Sequence, residues 1–431
     1  MIGRFFILIC SLSIFIGCTP ATDNPNTANI NAAPPPSAPA APAPVESNQF
    51  SAPITLPLLD ALLTDEKFVE GLRTRVKLNK EQIDSLKRVS NEEIVRLQEA
   101  NAEELDGGSG DARARASEEL NQILGDEKAK ELTAFANEYW SKGDPSEANG
   151  GTGPEMLKGP NAVPTDTRVV VNIPAFRMDL FQDGSLVKSY LVGIGYPDFP
   201  LPQGLRKASQ IIFNPTWTPP DSPWVAKMKN VTPGETVEAG SKLNPLGPIK
   251  IPIGMPSLIH GGKAPAKIGK FASHGCVGLT NNQVKDFALL LGKASGTELS
   301  DITIADYLQD KDQTKTVKLN ETIPVELRYE TIVLEDGKLH IYRDVYSQNA
   351  NTEENLRAVL EVHGLNFDDL SEQQKTEIRD ALTGKTKPGK GERDVVIDLG
   401  QESGKGYPAP VNLDNGSGKR STQKGTKRTN H

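Results

Sequence analysis

The stretch TRVVVNIPAFRMDLFQDGSLVKSYLVGIG, residues 167–195, decides the fold class of this chain. Apolar and polar residues alternate on both sides of Asp183-Gly184, and a period of two is typical of strands that bury one face. An Asp-Gly pair accepts the positive φ angles of a tight turn, so the stretch predicts a β-hairpin.

A second hairpin is predicted in VELRYETIVLEDGKLHIYRDVY, residues 325–346, with its turn at Asp336-Gly337. Further strands are expected at residues 210–213, 249–253 and 302–304, and a helix at residues 283–291. Residues 166–348 are therefore expected to form one mainly β domain.

The segments on either side of this β domain have other patterns. Residues 54–145 show helical spacing, with Asn79 and Gln82 as a capping pair, and predict a small α-helical domain. A linker rich in Gly and Pro fills residues 146–165. Two short helices are expected at residues 349–384, and the polar, Gly-rich residues 385–431 predict a disordered tail.

The first residues are typical of an export signal. One positive charge, Arg4, precedes an apolar run that is too short to span a bilayer comfortably. The following Gly17-Cys18 resembles the lipobox of bacterial lipoproteins, which implies cleavage after residue 17 and lipidation of Cys18. A plain secretory signal or an uncleaved anchor is the alternative. Residues 18–53, rich in Pro and Ala, would then form a tether that holds the protein at a membrane, facing the periplasm or cell wall.

Charge and cysteine content narrow the function. The net charge of −8 argues against a nucleic-acid partner, because phosphate binding needs a basic surface. Of three cysteines, Cys10 would leave with the signal and Cys18 would carry lipid. Cys276 then remains as an unpaired thiol, which is either a buried small hydrophobe or a reactive group.

The neighbours of Cys276 favour reactivity. The stretch IHGGKAPAKIGKFASHGCVGLTNNQ, residues 259–283, also contains His260 and His274. An imidazole can convert a thiol to the nucleophilic thiolate, and Gly275 lets the backbone approach a substrate closely. Backbone N–H groups from His274 to Cys276 could stabilise an oxyanion, and Ser273 could hydrogen-bond an imidazole. Each residue alone is more often structural than catalytic.

Together these residues resemble the signature of the L,D-transpeptidase family, or YkuD-like domain. His260-Gly261 is followed by Ser-His-Gly-Cys at residues 273–276, with twelve residues between His260 and Ser273. NPTWTPP at residues 214–220 and NPLG at residues 244–247 also resemble family segments. The likeness covers roughly residues 166–348.

The resemblance implies a β-sandwich-like catalytic domain with mixed sheets that needs no metal or cofactor. Cys276 would attack the third residue of a peptidoglycan tetrapeptide stem and expel the terminal D-Ala, and an amine of another stem would resolve the thioester into a 3→3 cross-link. His260 would be the general base, and carbapenem-type compounds would acylate the thiol. Other implied site residues are Ser273, His274 and Gly275 for support and the oxyanion hole, and Gly261 and Asn281 for substrate binding.

One position departs from the family pattern. Family members usually carry Arg or Asn two residues after the cysteine, where this chain has Gly278. The acceptor therefore stays open, and an L,D-carboxypeptidase or an enzyme that attaches or releases a wall-bound protein is an alternative. If the change disables the site, the protein would be a non-catalytic peptidoglycan-binding tether.

Overall fold

The computed structural model describes residues 54–99, 110–142, 155–400 and 406–417. The predicted signal sequence, the Pro/Ala-rich tether and the lipidation site Cys18 lie outside these ranges. Within them, every helix is too short or too polar to cross a membrane.

The N-terminal part is helical, as predicted. Asn79 and Gln82 form a reciprocal cap, because each backbone N–H donates to the other side chain, at 3.1 and 2.8 Å. Leucine and aromatic side chains on the inner faces, among them Leu59, Phe68 and Leu132, are fully buried. The five helices are α1 (Leu56–Leu63), α2 (Glu66–Thr74), α3 (Lys80–Glu99), α4 (Gly110–Leu124) and α5 (Asp126–Lys142).

A mixed eight-stranded sheet follows the helical domain. The predicted hairpin is confirmed: Asp183 and Gly184 turn with φ values of 49° and 77° between paired strands. The elements of this region are β1 (Arg168–Asn172), β2 (Arg177–Gln182), β3 (Ser185–Leu191), β4 (Ile194–Gly195), β5 (Gly204–Phe213), α6 (Pro223–Ala226), β6 (Ile249–Pro252), β7 (Leu258–His260), β8 (Phe271–Ser273), β9 (Val277–Gly278), α7 (Asn281–Ala294), α8 (Asp301–Gln309) and β10 (Lys315–Arg328).

The strand order in this sheet is β3-β2-β1-β10-β5-β6-β7-β9. The pairs β1–β10 and β7–β9 are parallel, and the other neighbours are antiparallel. Helix α7 packs its buried Val284, Phe287 and Leu291 into the same apolar core as Ile259 and Val277. One face of the short strands β7 and β9 therefore packs against the apolar core. Strands β4 and β8 pair separately, in parallel.

The strand predicted at residues 302–304 is wrong, because this stretch begins helix α8. Ser300 caps the helix by accepting a hydrogen bond from the Thr303 N–H at 3.1 Å. Ile304 is buried, whereas Ile302 is 75% exposed, so the two isoleucines serve different faces of a helix.

The two short helices predicted at residues 349–384 are present, and they belong to a small C-terminal module that also includes part of the predicted disordered tail. The predicted Asp336-Gly337 hairpin is present, but its two strands lie outside the large sheet, and the second of them also pairs with a strand from the predicted tail. That strand buries Ile397, and Leu399 after it is also buried, an apolar content that the polar surroundings concealed in the sequence. The elements are β11 (Ile332–Glu335), β12 (Lys338–Tyr342), α9 (Glu353–Val362), α10 (Glu372–Leu382) and β13 (Asp394–Asp398).

Residues 406–417, also in the predicted tail, dock on the edge of the large sheet. The Ser189 N–H on β3 donates to Val411 O, and the Asp414 N–H donates back to Ser189 O, each at 3.0 Å. Tyr407 is buried and its hydroxyl donates to Asp179 at 3.1 Å. These contacts give backbone groups of the edge strand β3 partners from the same chain.

Candidate active site

Strands β7 and β9 place His260 beside the residues that follow Cys276. The parallel register pairs Ile259 with Val277 and His260 with Gly278. Because Ile259 and Val277 are fully buried in the core, strand alternation turns His260 and Gly278 to the opposite face. Cys276 lies in the bend that directly precedes β9, two residues before the Gly278 that pairs with His260.

His260 is held as a neutral ring. It is 3% exposed, and its Nδ1 lies 2.7 Å from the carbonyl oxygen of Gly261. Burial, and then the charge of Lys263, lower the pKa of His260 from 6.5 to about 3, although backbone hydrogen bonds to Gly261 and Leu246 act in the other direction. With the proton on Nδ1, Nε2 keeps a lone pair that can accept a proton.

Cys276 is a free, partly exposed thiol. Burial raises the pKa of the Cys276 thiol, while a backbone hydrogen bond from Leu258 and the charge of Lys263 lower it in part. Among the hydrogen bonds of the described residues, none joins the Cys276 sulfur to the His260 ring. The resting thiol is therefore neutral at physiological pH and requires a base to become a nucleophile.

Ser273 closes the turn that carries the thiol. Its hydroxyl accepts from the Cys276 N–H at 3.0 Å and donates to the Cys276 carbonyl at 2.5 Å. Two expectations change as a result. Ser273 binds the cysteine backbone rather than an imidazole, and the Cys276 N–H is occupied and does not point to an oxyanion.

Gly275 adopts a conformation that suits glycine. Its φ is +95°, and its carbonyl accepts a hydrogen bond from the buried Ser257 hydroxyl at 2.8 Å. A methyl group added at Gly195 would lie 3.3 Å from the Gly275 N and 2.1 Å from the Phe199 carbonyl oxygen. The turn at residues 273–276, called the nucleophile turn below, is thus packed closely against the backbone near Gly195, and this packing fixes its position.

His274 lies among aromatic rings that sequence reasoning did not identify. Its ring stacks on Trp224 at 4.4 Å between centroids and 10° between planes, with Phe199 edge-on at 4.6 Å and Tyr196 at 5.5 Å. Aromatic packing therefore orients this ring. Its expected role as a support for His260 stays a prediction.

The helical domain reinforces this aromatic group. Ile94 of α3 is fully buried in a cluster with Tyr196 and Phe199. The Thr55 hydroxyl donates to the Asp198 carbonyl at 2.6 Å, which fixes the same loop from α1. The helices therefore do more than act as a spacer, because they pack on the loop that orients His274.

Asn281 and Gly261 serve the loop that follows His260. Asn281 Oδ1 accepts from the Gly262 N–H at 2.8 Å, and the Gly261 N–H donates to the Ile249 carbonyl at 3.1 Å. These bonds tie the end of β7 to the first residue of α7 and to β6. The substrate-binding roles expected of Gly261 and Asn281 stay predictions.

The described residues contain no cluster of three or more His, Cys, Asp or Glu side chains that could hold a metal ion. The chemistry available around β7 and β9 is that of a thiol, a neutral imidazole and nearby lysine ammonium groups. Such a set is suited to acyl transfer through a thioester.

Residues 166–299 match the family model of the L,D-transpeptidase catalytic domain. This segment is an L,D-transpeptidase-type catalytic domain. The match covers the large sheet as far as α7 and places both His260 and Cys276 inside the L,D-transpeptidase domain. The helical domain and the C-terminal module lie outside the matched segment.

Several solved structures similar to this chain are L,D-transpeptidases. The catalytic domain of an E. faecium L,D-transpeptidase is 17% identical, with 39% of this chain and 100% of that chain covered and a TM-score of 0.25. An enzyme from Mycobacterium smegmatis is 16% identical, with 38% and 58% covered and a TM-score of 0.23. One from Mycobacterium tuberculosis H37Rv is 14% identical, with 38% and 57% covered and a TM-score of 0.22.

The chain spans about half the length, 49%, of a further similar structure, the Ldtfm-avibactam carbamoyl enzyme. No curated protein sequence matches the chain.

Proposed function

We propose that this protein is a cysteine-dependent L,D-transpeptidase that acts on peptidoglycan stem peptides. The observation that supports the proposal is the β7–β9 register, because His260 pairs with Gly278 and the free thiol of Cys276 lies two residues before Gly278, all inside the matched segment. In the proposed reaction His260 is the base and Cys276 the nucleophile.

In the acylation step, the Cys276 sulfur attacks the carbonyl carbon of the third stem residue. The thiol proton passes to His260 Nε2, and the C–N bond to the terminal D-Ala breaks. His260 returns the proton to the departing amine, which leaves a thioester on Cys276. Because the Cys276 N–H already donates to Ser273, the Gly275 N–H is the candidate donor for the oxyanion.

In the second step, an amine from the third residue of another stem attacks the thioester. It loses a proton to His260, the C–S bond breaks, and the thiol is regenerated with a 3→3 cross-link formed. Water in place of the amine would give a tripeptide, the L,D-carboxypeptidase reaction.

A peptidoglycan substrate requires that the protein is exported. We propose that it is a lipoprotein anchored through Cys18 that faces the periplasm or cell wall, as the first residues of the sequence indicate. Mass spectrometry of membrane-extracted protein tests this, since a diacylated N-terminal Cys18 is expected and an unmodified chain would contradict it.

Related inhibitors provide a second line of support. Solved L,D-transpeptidases include one in complex with imipenem and one with a faropenem-derived adduct. We propose that compounds of this class acylate Cys276 as they mimic the acyl donor.

The decisive experiment incubates wild-type protein, Cys276→Ala and His260→Gln with disaccharide-tetrapeptide and identifies the products by mass spectrometry. A cross-linked dimer from the wild type alone supports the transpeptidase. Tripeptide without dimer would assign the carboxypeptidase reaction instead. Unchanged substrate with folded wild-type protein would overturn both enzyme assignments and favour a non-catalytic tether.

A further inference from the structure

The side chain of Lys263 occupies the space beside Gly278. A methyl group built on Gly278 would lie 2.7 Å from both Cγ and Cε of Lys263 and 3.2 Å from its Cδ. The aliphatic part of the lysine therefore packs directly on the Gly278 backbone. A larger residue at position 278 would force Lys263 away.

The backbone holds Lys263 in this place. The Lys263 N–H donates to the Leu279 carbonyl at 3.1 Å, and the Leu279 N–H donates to the His260 carbonyl at 2.8 Å. These two bonds join the loop after His260 to the residue after β9. Lys263 therefore packs on Gly278, which pairs with His260 on the neighbouring strand and follows Cys276 by two residues.

The charge of Lys263 acts on both reacting groups. Burial raises the pKa of the Cys276 thiol and lowers that of His260, and the charge of Lys263 lowers both. Burial also lowers the pKa of the Lys263 ammonium group, and the charge of Cys276 acts in the other direction. Other titratable groups around this cluster are Lys250, paired with His260 on β6, and Lys267, whose charge acts on Lys263. The charged groups among them are cations, so their charges offset part of the cost of burying an anion at Cys276.

We propose that Lys263 is the resident cation that stabilises the Cys276 thiolate, in place of the side chain that is missing at Gly278. The inference rests on the proposed function, since it concerns the same nucleophile. The thiol proton goes to His260 and the negative charge on sulfur is balanced by the Lys263 ammonium group. Glycine at position 278 is then a requirement for the lysine rather than a lost function.

Burial is the main cause of the neutral state of His260, and the charge of Lys263 adds to it. A positive charge next to the ring opposes imidazolium formation at rest, so His260 stays a proton acceptor until sulfur attacks. Lys263 thus favours the anion on sulfur and the neutral form of the base together.

The test measures the rate of iodoacetamide modification of Cys276 in the full-length protein across pH, followed by peptide mass spectrometry. Lys263→Met keeps the aliphatic length but removes the charge. We expect its apparent thiol pKa to rise by about one unit, with about tenfold slower modification below the pKa. Lys263→Arg should stay near the wild type, and Lys270→Met, an exposed lysine on the same segment, should not change the profile.

A swap variant separates charge from folding. Gly278→Arg combined with Lys263→Ala supplies the cation from the strand, and we expect it to restore most of the profile lost in Lys263→Met. An unchanged pKa in folded Lys263→Met would overturn the proposal. Alkylation needs no peptidoglycan, so the two proposals can fail separately. If Lys263→Met shifts the pH profile in a protein that does not react with tetrapeptide, the role of Lys263 is supported and the transpeptidase assignment is rejected.

Discussion

Burial of a neutral His260 makes the stability of the protein depend on pH. Folding lowers the pKa of this ring from 6.5 to about 3, so between these values the unfolded chain binds a proton that the folded chain does not. The contribution is fully present above about pH 6.5 and is lost as the pH falls. A pH of about 5 lies about 1.5 units below the pKa of the ring in the unfolded chain. This difference lowers the free energy of unfolding by about 2 kcal/mol.

The assay is urea unfolding of the full-length protein at about pH 8 and about pH 5, followed by tryptophan fluorescence. Other buried groups titrate in this range, such as Asp60, whose pKa burial raises to about 6. The comparison is therefore made with His260→Gln, which keeps those groups and lacks this ring. We expect the wild type to lose about 2 kcal/mol more than the variant on acidification. An equal loss in both proteins would refute the neutral, buried His260.

The packing of the nucleophile turn gives two further predictions. Gly195→Ala would place a methyl group 2.1 Å from the Phe199 carbonyl oxygen, and we expect it to lower the free energy of unfolding in urea by about 1–3 kcal/mol. The control Gly110→Ala has no atom within 4 Å of the added methyl group and should be neutral or slightly stabilising. Equal effects of the two substitutions would contradict the close packing at Gly195. Ser273→Ala removes both hydrogen bonds to the Cys276 backbone and should lower the free energy of unfolding by about 1–3 kcal/mol. It should also slow acylation by imipenem at least tenfold, as measured by intact mass. An unchanged acylation rate would show that the hydroxyl does not position the thiol.

Local signals in the sequence predicted much of the fold. The turn pair Asp183-Gly184 and the cap at Asn79 act over a few residues, and both are found where their chemistry indicates. The mainly β character of this region followed from the alternating pattern on both sides of Asp183-Gly184, and the family followed from the signature around His260 and Cys276, which the family match confirms.

Long-range packing was the part that sequence could not supply. The strand Asp394–Asp398 finds its partner more than fifty residues earlier, at β12, and its short apolar run gives no sign of this. Lys263 is another case, since its relation to Gly278 exists only once β7 and β9 are paired. The gap at Gly278 was visible in the sequence, but the side chain that fills it was not.

The central claim is that Cys276 is an activated nucleophile, and acylation by imipenem tests it most directly. Full-length wild-type protein and Cys276→Ser are incubated with imipenem and their intact masses measured. We predict one covalent adduct on the wild type, mapped to Cys276 by peptide analysis, and none on Cys276→Ser. A folded wild-type protein that remains unlabelled, or an equal adduct on Cys276→Ser, would contradict the account.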